Sequence, residues 1–279
     1  MVKRLILAAL LAVSCGRLEF QNMLFPLVPD VNDRVEASFK WNENHPPVTL
    51  SASADYRFYA GSDIHVSDGR PVFFRKMTEA CAEDPKAAFY LCLGDLLFGK
   101  DRMDWVADVM QSSPAPGFIL VGNHDLLFGL WDTWKATFHS STYYFFVDTP
   151  AGKDLYIMLD SASGTLGEKQ AKWLEGVLAD VRPSCRHCVV SVHTNIFRTD
   201  ASQFPSTNFT REETWFLLDL MTRSKVDMMI AGHDHVRDVS FFNGVTYITL
   251  DSLKDDSPSA SYMTVDVGDG LEYKFVELK

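Results

Sequence analysis

Aspartate, asparagine and histidine stand at five places where an apolar run of the chain stops. Asp63 and His65 follow YRFYA-GS, and Asp95 follows FYLCL-G. Asn123, His124 and Asp125 follow FIL-VG, His193 follows VVSV, and His233 and His235 follow MMI-AG. Imidazole suits Mn, Fe, Zn, Co or Ni, and a carboxylate anchors the charge of such an ion. A mixed nitrogen and oxygen set disfavours calcium, which takes oxygen ligands. Taken singly, each residue has a duller reading. A strand-end Asp caps the next helix, a lone His packs or is solvated, and Asn-His-Asp makes a turn. The joint pattern decides against those readings, because five of the eight histidines sit at strand ends.

The elements that must position these residues are legible from periodicity. Residues 56–60, 87–93 and 118–121 read as strands that end at or beside glycine, with helical spacing at 72–83 and 103–110 between them. This is the β-α-β-α-β rhythm of a layered α/β domain. A helical piece near 131–138 precedes strands at 143–147 and 155–159, joined by a Pro-Ala-Gly turn. Helices are expected at 168–178 and 211–221, and strands at 187–192 and 226–230. The helix at 168–178 carries Trp173, Leu174, Val177 and Leu178 on one face. The remainder is β-rich, with an Asn243-Gly244 turn between 239–242 and 245–250. In open α/β sheets, ligand sites form in the loops beyond the carboxyl ends of the strands. All five clusters fall there. Glycine at 61, 94, 122 and 232 allows the sharp turns and close approach such a rim needs.

The ordered set Asp63-Ile64-His65, Gly94-Asp95, Gly122-Asn123-His124-Asp125, His193 and Gly232-His233-Asp234-His235 resembles the calcineurin-like metallophosphoesterases. The resemblance spans roughly 55–250 and includes all five motifs of that family. It implies two packed mixed β-sheets flanked by helices, a four-layer sandwich. It also implies two divalent transition-metal ions. Asp63, His65 and His235 would hold the first, Asn123, His193 and His233 the second, and Asp95 would bridge them. A hydroxide between the ions would attack phosphorus. His124 would face the leaving group as the general acid, and Asp125 would orient it. The pattern departs from the family after the second motif, where Phe98 stands in place of a common polar residue. It departs again at Thr194 and Asn195, where proline is common. These positions are expected on the substrate side. The function implied is metal-dependent hydrolysis of a small phosphodiester or phosphomonoester outside the cytoplasm. A phosphate-ligand-binding surface lipoprotein of the same fold, with little or no catalysis, is the alternative.

Bulk properties bound the partners. The formal net charge is −11, and no Lys or Arg run stands out. Long nucleic acids bind chiefly by phosphate neutralisation, so a small phosphorylated substrate fits better. Bound metal would supply the positive charge such a substrate needs. Residues 1–14 read as a signal peptide, with Lys3 and Arg4 ahead of an apolar run at 5–13 too short to span a bilayer. Ala12-Val13-Ser14-Cys15 resembles a bacterial lipoprotein signal, with Ala12 where Leu is usual. Simple secretion with cleavage nearby is the other reading. A lipid anchor at Cys15 would be the only membrane contact and would place the protein in the periplasm or on the outer surface. Residues 15–54, punctuated by Pro26, Pro29, Pro46 and Pro47, read as a tether and N-terminal extension with one short helix near 31–42. The metallophosphoesterase domain is expected at 55–279. Cys81, Cys92, Cys185 and Cys188 read as buried thiols, since only the last two are close enough in sequence to suggest a disulfide or half a metal site.

Overall fold

A strand buried on both faces needs apolar residues at successive positions, and the central strands of this chain are built that way. In the computed structural model, which describes residues 28–66, 69–97, 102–197 and 208–279, two sheets pack face to face. The signal peptide, Cys15 and Phe98 lie outside the described residues. The five-stranded sheet contains β2 (Tyr56–Gly61), β3 (Ala87–Cys92) and β4 (Gly117–Ile119), together with β11 (Ser261–Val267) and β12 (Leu271–Glu277). Its strand order is β12-β11-β2-β3-β4. The seven-stranded sheet runs from β1 (Thr49–Ser51) through β5 (Tyr143–Thr149), β6 (Gly152–Met158), β7 (Cys188–Ser191) and β8 (Met228–Ala231). It continues to β10 (Val245–Thr249) and ends at β9 (Asp238–Phe242).

Alternate residues of each central strand enter different cores. Along β2, Tyr56, Phe58 and Ala60 face the space between the sheets, while Tyr59 faces the opposite layer. Along β6, Tyr156 and Met158 face inward, while Leu155 and Ile157 face out. The inter-sheet core holds an aromatic cluster. Phe89 stacks on Phe58 at 5.2 Å between centroids and meets Tyr156 edge-on at 4.8 Å. Such pairs contribute about 0.5–1.5 kcal/mol each beyond their buried area. Outside the five-stranded sheet lie helices at Val72–Glu83 and Met103–Ser112, whose Phe74, Met77 and Val106 join a second core. Helices at Gly167–Asp180 and Arg211–Arg223 cover the other sheet with Leu174, Val177, Leu178, Leu217 and Met221. The four-layer sandwich expected from sequence is therefore present.

Residues 28–54, read from sequence as extension, pack as part of the domain. Helix α1 (Val31–Asn42) is N-capped by Asp30, whose carboxylate accepts from the Asn32 N–H at 2.8 Å. It buries Val31, Arg34, Val35 and Ser38. β1 pairs parallel with β5 and becomes an edge of the larger sheet. Cys81, Cys92, Cys185 and Cys188 are free buried thiols. Among the described residues, no helix is long and apolar enough to cross a membrane.

Candidate metal centre

Parallel pairing of β2, β3 and β4 in one sheet, and of β6, β7 and β8 in the other, gives each set a common carboxyl edge. Backbone pairing continues past the strand ends and sets the height of each loop. Asp63 N–H donates to the Gly94 carbonyl at 3.0 Å, His65 N–H to the Asp95 carbonyl at 3.0 Å, and Gly232 N–H to the His193 carbonyl at 2.9 Å. The loops then press together. A Cβ on Gly94, at φ +87°, would stand 2.5 Å from the Gly122 nitrogen. One on Gly122 would stand 2.9 Å from Asp95 Cα. These glycines permit an approach that no side chain would.

The strand ends bring the sequence-selected residues into two adjoining groups. Asp63, His65 and His235 form one, and Asp95, His193 and His233 the other, with ligand-type atoms in each within 4.8 Å of one another. Asn123 Oδ1 lies 3.0 Å from His193 Nε2 and so belongs to the second group. Asp95 sits between them: Oδ1 is 3.3 Å from His193 Nε2, and Oδ2 is 3.6 Å from His65 Nε2. His124 is half-buried, its ring edge-on to His65 at 4.8 Å between centroids. It also lies within ligand distance of His65 and Asp95 as a third grouping.

Several features mark a place for positive charge. Asp63 Oδ1 is buried and accepts no hydrogen bond. His235 Nε2 lies 3.3 Å from it. His65 and His235 point Nε2 atoms at each other across 2.9 Å, an arrangement that needs a proton or a cation between two lone pairs. Burial opposes the charge of both carboxylates, yet the surrounding histidines hold Asp95 and Asp63 below the usual carboxylate range. Burial likewise opposes a charged His193, but Asp95 and Asp63 outweigh it and raise its pKa to about 10. His65 goes the other way, lowered chiefly by burial. The cluster therefore favours a positive charge among its carboxylates. Its carboxylate, amide and imidazole donors fit divalent transition-metal ions that would take over that role.

The neighbours of two more of these residues are backbone groups. Asp125 is fully buried, with Oδ1 accepting from Leu96 N–H at 2.8 Å and Oδ2 from Gly122 N–H at 2.9 Å. The 3₁₀ turn at His124–Gly129 directs it inward, where it ties the Asp95 loop to the Asn123 loop. Thr194, beside His193, is buried, and its hydroxyl donates to the Ser161 carbonyl at 2.8 Å. Asn195 Nδ2 donates to Asp234 Oδ2 at 2.8 Å, joining the loops after β7 and β8.

Two serines outside the sequence motifs hold candidate ligands in place. Ser252 Oγ donates to the Asp63 carbonyl at 2.7 Å. Ser161 Oγ accepts the His193 N–H at 2.9 Å. Asp160 follows the apolar run 155–159 and so carried the same strand-end signal as the ligands. Its carboxylate turns away from the rim to Arg34.

Comparison with known proteins agrees with this geometry. No curated protein matches the chain in sequence. Among solved structures, GAP50, described as the anchor in the inner membrane complex of Plasmodium, superimposes with a TM-score of 0.63 at 16% identity. That match covers 80% of this chain and 84% of the other. Purple acid phosphatase PPD1 from yellow lupin gives a TM-score of 0.60 at 14% identity, covering 81% of this chain and 52% of the enzyme. A putative 5′-nucleotidase from Staphylococcus aureus gives 0.53 at 14% identity, covering 80% of this chain and 54% of the other. These likenesses show a shared fold, and the chain spans about half of the two larger proteins. The family model for calcineurin-like phosphoesterase matches residues 56–237, which include every residue of both ligand groups. By that match the chain belongs to the calcineurin-like phosphoesterase family.

Proposed function

We propose that the protein is a metal-dependent phosphoester hydrolase with a dinuclear centre, acting on a small phosphodiester or phosphomonoester. The observation that carries this reading is the Asp95 carboxylate, whose two oxygens face the two ligand groups separately. Asp63, His65 and His235 are assigned to one ion, Asn123, His193 and His233 to the other, and Asp95 to both. Two ions so placed would supply Lewis acidity, neutralising phosphoryl oxygens and making water a nucleophile near neutral pH.

The chain's own residues do the rest. His193 Nδ1 is bonded to the Leu93 carbonyl at 2.8 Å, which fixes the ring and leaves Nε2 for the centre. The His124 N–H donates to Asp95 Oδ1 at 2.8 Å and so holds the bridging carboxylate in place. The half-buried His124 ring stands beside His65, where it can pass a proton to a departing oxygen. The acidic surface argues for a small substrate over a long nucleic acid. Export through residues 1–14 and lipidation at Cys15 belong to the same proposal. Mass spectrometry of the native N-terminus, and the fractionation of Cys15→Ser, test that part.

Asp95→Asn tests the centre directly. The variant should fold, contain less metal than the wild type's two equivalents, and lose nearly all hydrolysis of a phosphodiester. Wild-type-like turnover by a homogeneous preparation would overturn the assignment. Metal content also separates hydrolase from phosphate-ligand-binding lipoprotein, because a chain that binds no metal cannot use this centre.

A further inference from the structure

Helix α1 carries an arginine that meets no solvent. Arg34 and its partner Asp160 are both fully buried. The guanidinium grips the carboxylate with two prongs, Nε to Oδ2 at 2.8 Å and Nη2 to Oδ1 at 2.9 Å. Two further hydrogens reach Ser163 Oγ at 3.1 Å and the Pro29 carbonyl at 2.5 Å. Ser141 Oγ and the Ala162 N–H also donate to Asp160. A buried ion pair often contributes no more to stability than apolar residues of similar volume would. Stability is therefore a weak reason for one joining residues 126 positions apart.

The pair leads to the metal centre through one peptide bond. The Asp160 N–H donates to Gln170 Oε1 at 2.8 Å, and its carbonyl accepts from Gln170 Nε2 at 2.7 Å. Residue 160 is thus fixed by both backbone and side chain. The next residue, Ser161, is buried, and its Oγ accepts the N–H groups of His193 and Thr194, each at 2.9 Å. The turn that presents His193 rests on this hydroxyl. With its backbone held there and Nδ1 held by Leu93, the imidazole has one free direction, toward Asp95 and Asn123.

We propose that Arg34 is a positioning residue for the second metal site, acting through Asp160 and Ser161 to fix the backbone from which His193 projects. The inference rests on the dinuclear reading above. α1 lies outside the 56–237 family match, so this support comes from a segment the family pattern does not include. Outer-shell partners of metal ligands typically change metal affinity by about 10–100-fold when removed.

The test strips the full chain with a chelator and titrates it with Co(II), read by visible absorption and elemental analysis. Arg34→Met combined with Asp160→Leu removes both charges and leaves neither buried alone. Arg34→Lys keeps the charge but loses the fork. Ser161→Ala removes only the acceptor beneath His193. Leu220→Ala, in the outer core on the separate helix at Arg211–Arg223, controls for lost stability without touching the link. The wild type and Leu220→Ala should take two equivalents. The other variants should keep one equivalent at wild-type affinity and bind the second about 10–100-fold more weakly, with Arg34→Lys between. Two equivalents at wild-type affinity in Ser161→Ala and Arg34→Lys would overturn the inference while leaving the dinuclear reading intact. Equal weakening of both equivalents would overturn it as well. A wild type that takes no Co(II) would overturn both. If the double variant fails to fold, Ser161→Ala and Arg34→Lys decide.

Discussion

Asp125→Asn separates two roles for one carboxylate. Both oxygens of Asp125 accept backbone N–H groups, from Leu96 at 2.8 Å and Gly122 at 2.9 Å, at a site with no solvent exposure. Asparagine can serve one of these donors with its carbonyl oxygen but turns an N–H₂ toward the other. A buried donor left unsatisfied costs about 1–3 kcal/mol. Burial, and after it the charge of Asp95, push the Asp125 pKa up to about 7. A neutral amide relieves part of that strain, so the lower half of the range applies. In a domain of this size each kcal/mol moves Tm by about 2–4 °C, which places the expected fall at roughly 2–8 °C. Asp125→Ala abandons both donors and should fall about twice as far. Thermal unfolding is measured in excess chelator, so that metal binding does not shift the equilibrium. Turnover is then measured with metal restored, on an alkyl and a p-nitrophenyl phosphodiester. A clamp between the Asp95 and Asn123 loops predicts the same fractional loss on both substrates. Orientation of His124 predicts a selective loss on the alkyl ester. An unchanged Tm in Asp125→Ala, or a selective alkyl loss in Asp125→Asn, would refute the clamp.

Three further outcomes follow from the same geometry. His124→Asn should keep its metal and lose about 10²–10⁴-fold on alkyl esters, where the leaving oxygen needs a proton, but much less on p-nitrophenyl esters. Equal losses on both would reject the acid role. Gly122→Ala would drive a Cβ into Asp95, 2.9 Å from its Cα, and should lower metal content well below wild type by elemental analysis while circular dichroism stays native-like. Wild-type metal content would show that the loops can part without cost. His187 is raised above 6.5, first by Asp227, whose Oδ1 lies 3.6 Å from Nδ1, against the pull of its own burial. The resulting stability is fully present below pH 6.5 and is lost as pH rises through the folded-state pKa. The stability gap between wild type and His187→Gln in chelator should therefore be wider at pH 6 than at pH 8.5, and a gap independent of pH would contradict this.

Local periodicity made most elements readable because each central strand is apolar at successive positions and ends at or beside glycine. The helix at Val72–Glu83 and the hairpin turn at Asn243-Gly244 fall where their patterns placed them. What periodicity does not encode is pairing between distant segments. β11 closes the smaller sheet by pairing antiparallel with β2, about 200 residues earlier, with Val265 opposite Phe58. β1, only three residues long, pairs with β5 across nearly 100 residues. Neither partner is marked in its own sequence. The same limit explains α1. Its helical spacing was legible, but the carboxylate waiting for Arg34 was not.

At the site, residue type was more legible than residue role. Asp95, Asp125 and Asp160 all follow apolar runs, and type alone cannot say where a carboxylate points. Backbone conformation separates them. Asp63, His65, Asp95, His233 and His235 all have positive φ, between 46° and 74°, whereas Asp125 and Asp160 do not. A non-glycine residue held outside its favoured regions costs of the order of 1–3 kcal/mol and persists only where its surroundings over-determine it. Glycine would occupy these five positions with less strain, but it would bring no donor atom. The loops therefore retain strained aspartate and histidine where the turn geometry alone favours glycine. Metal ligation would account for that choice, because these five side chains meet in the two groups, where His193 joins them from ordinary backbone. Asp125 and Asp160 instead satisfy backbone and guanidinium donors from ordinary conformations.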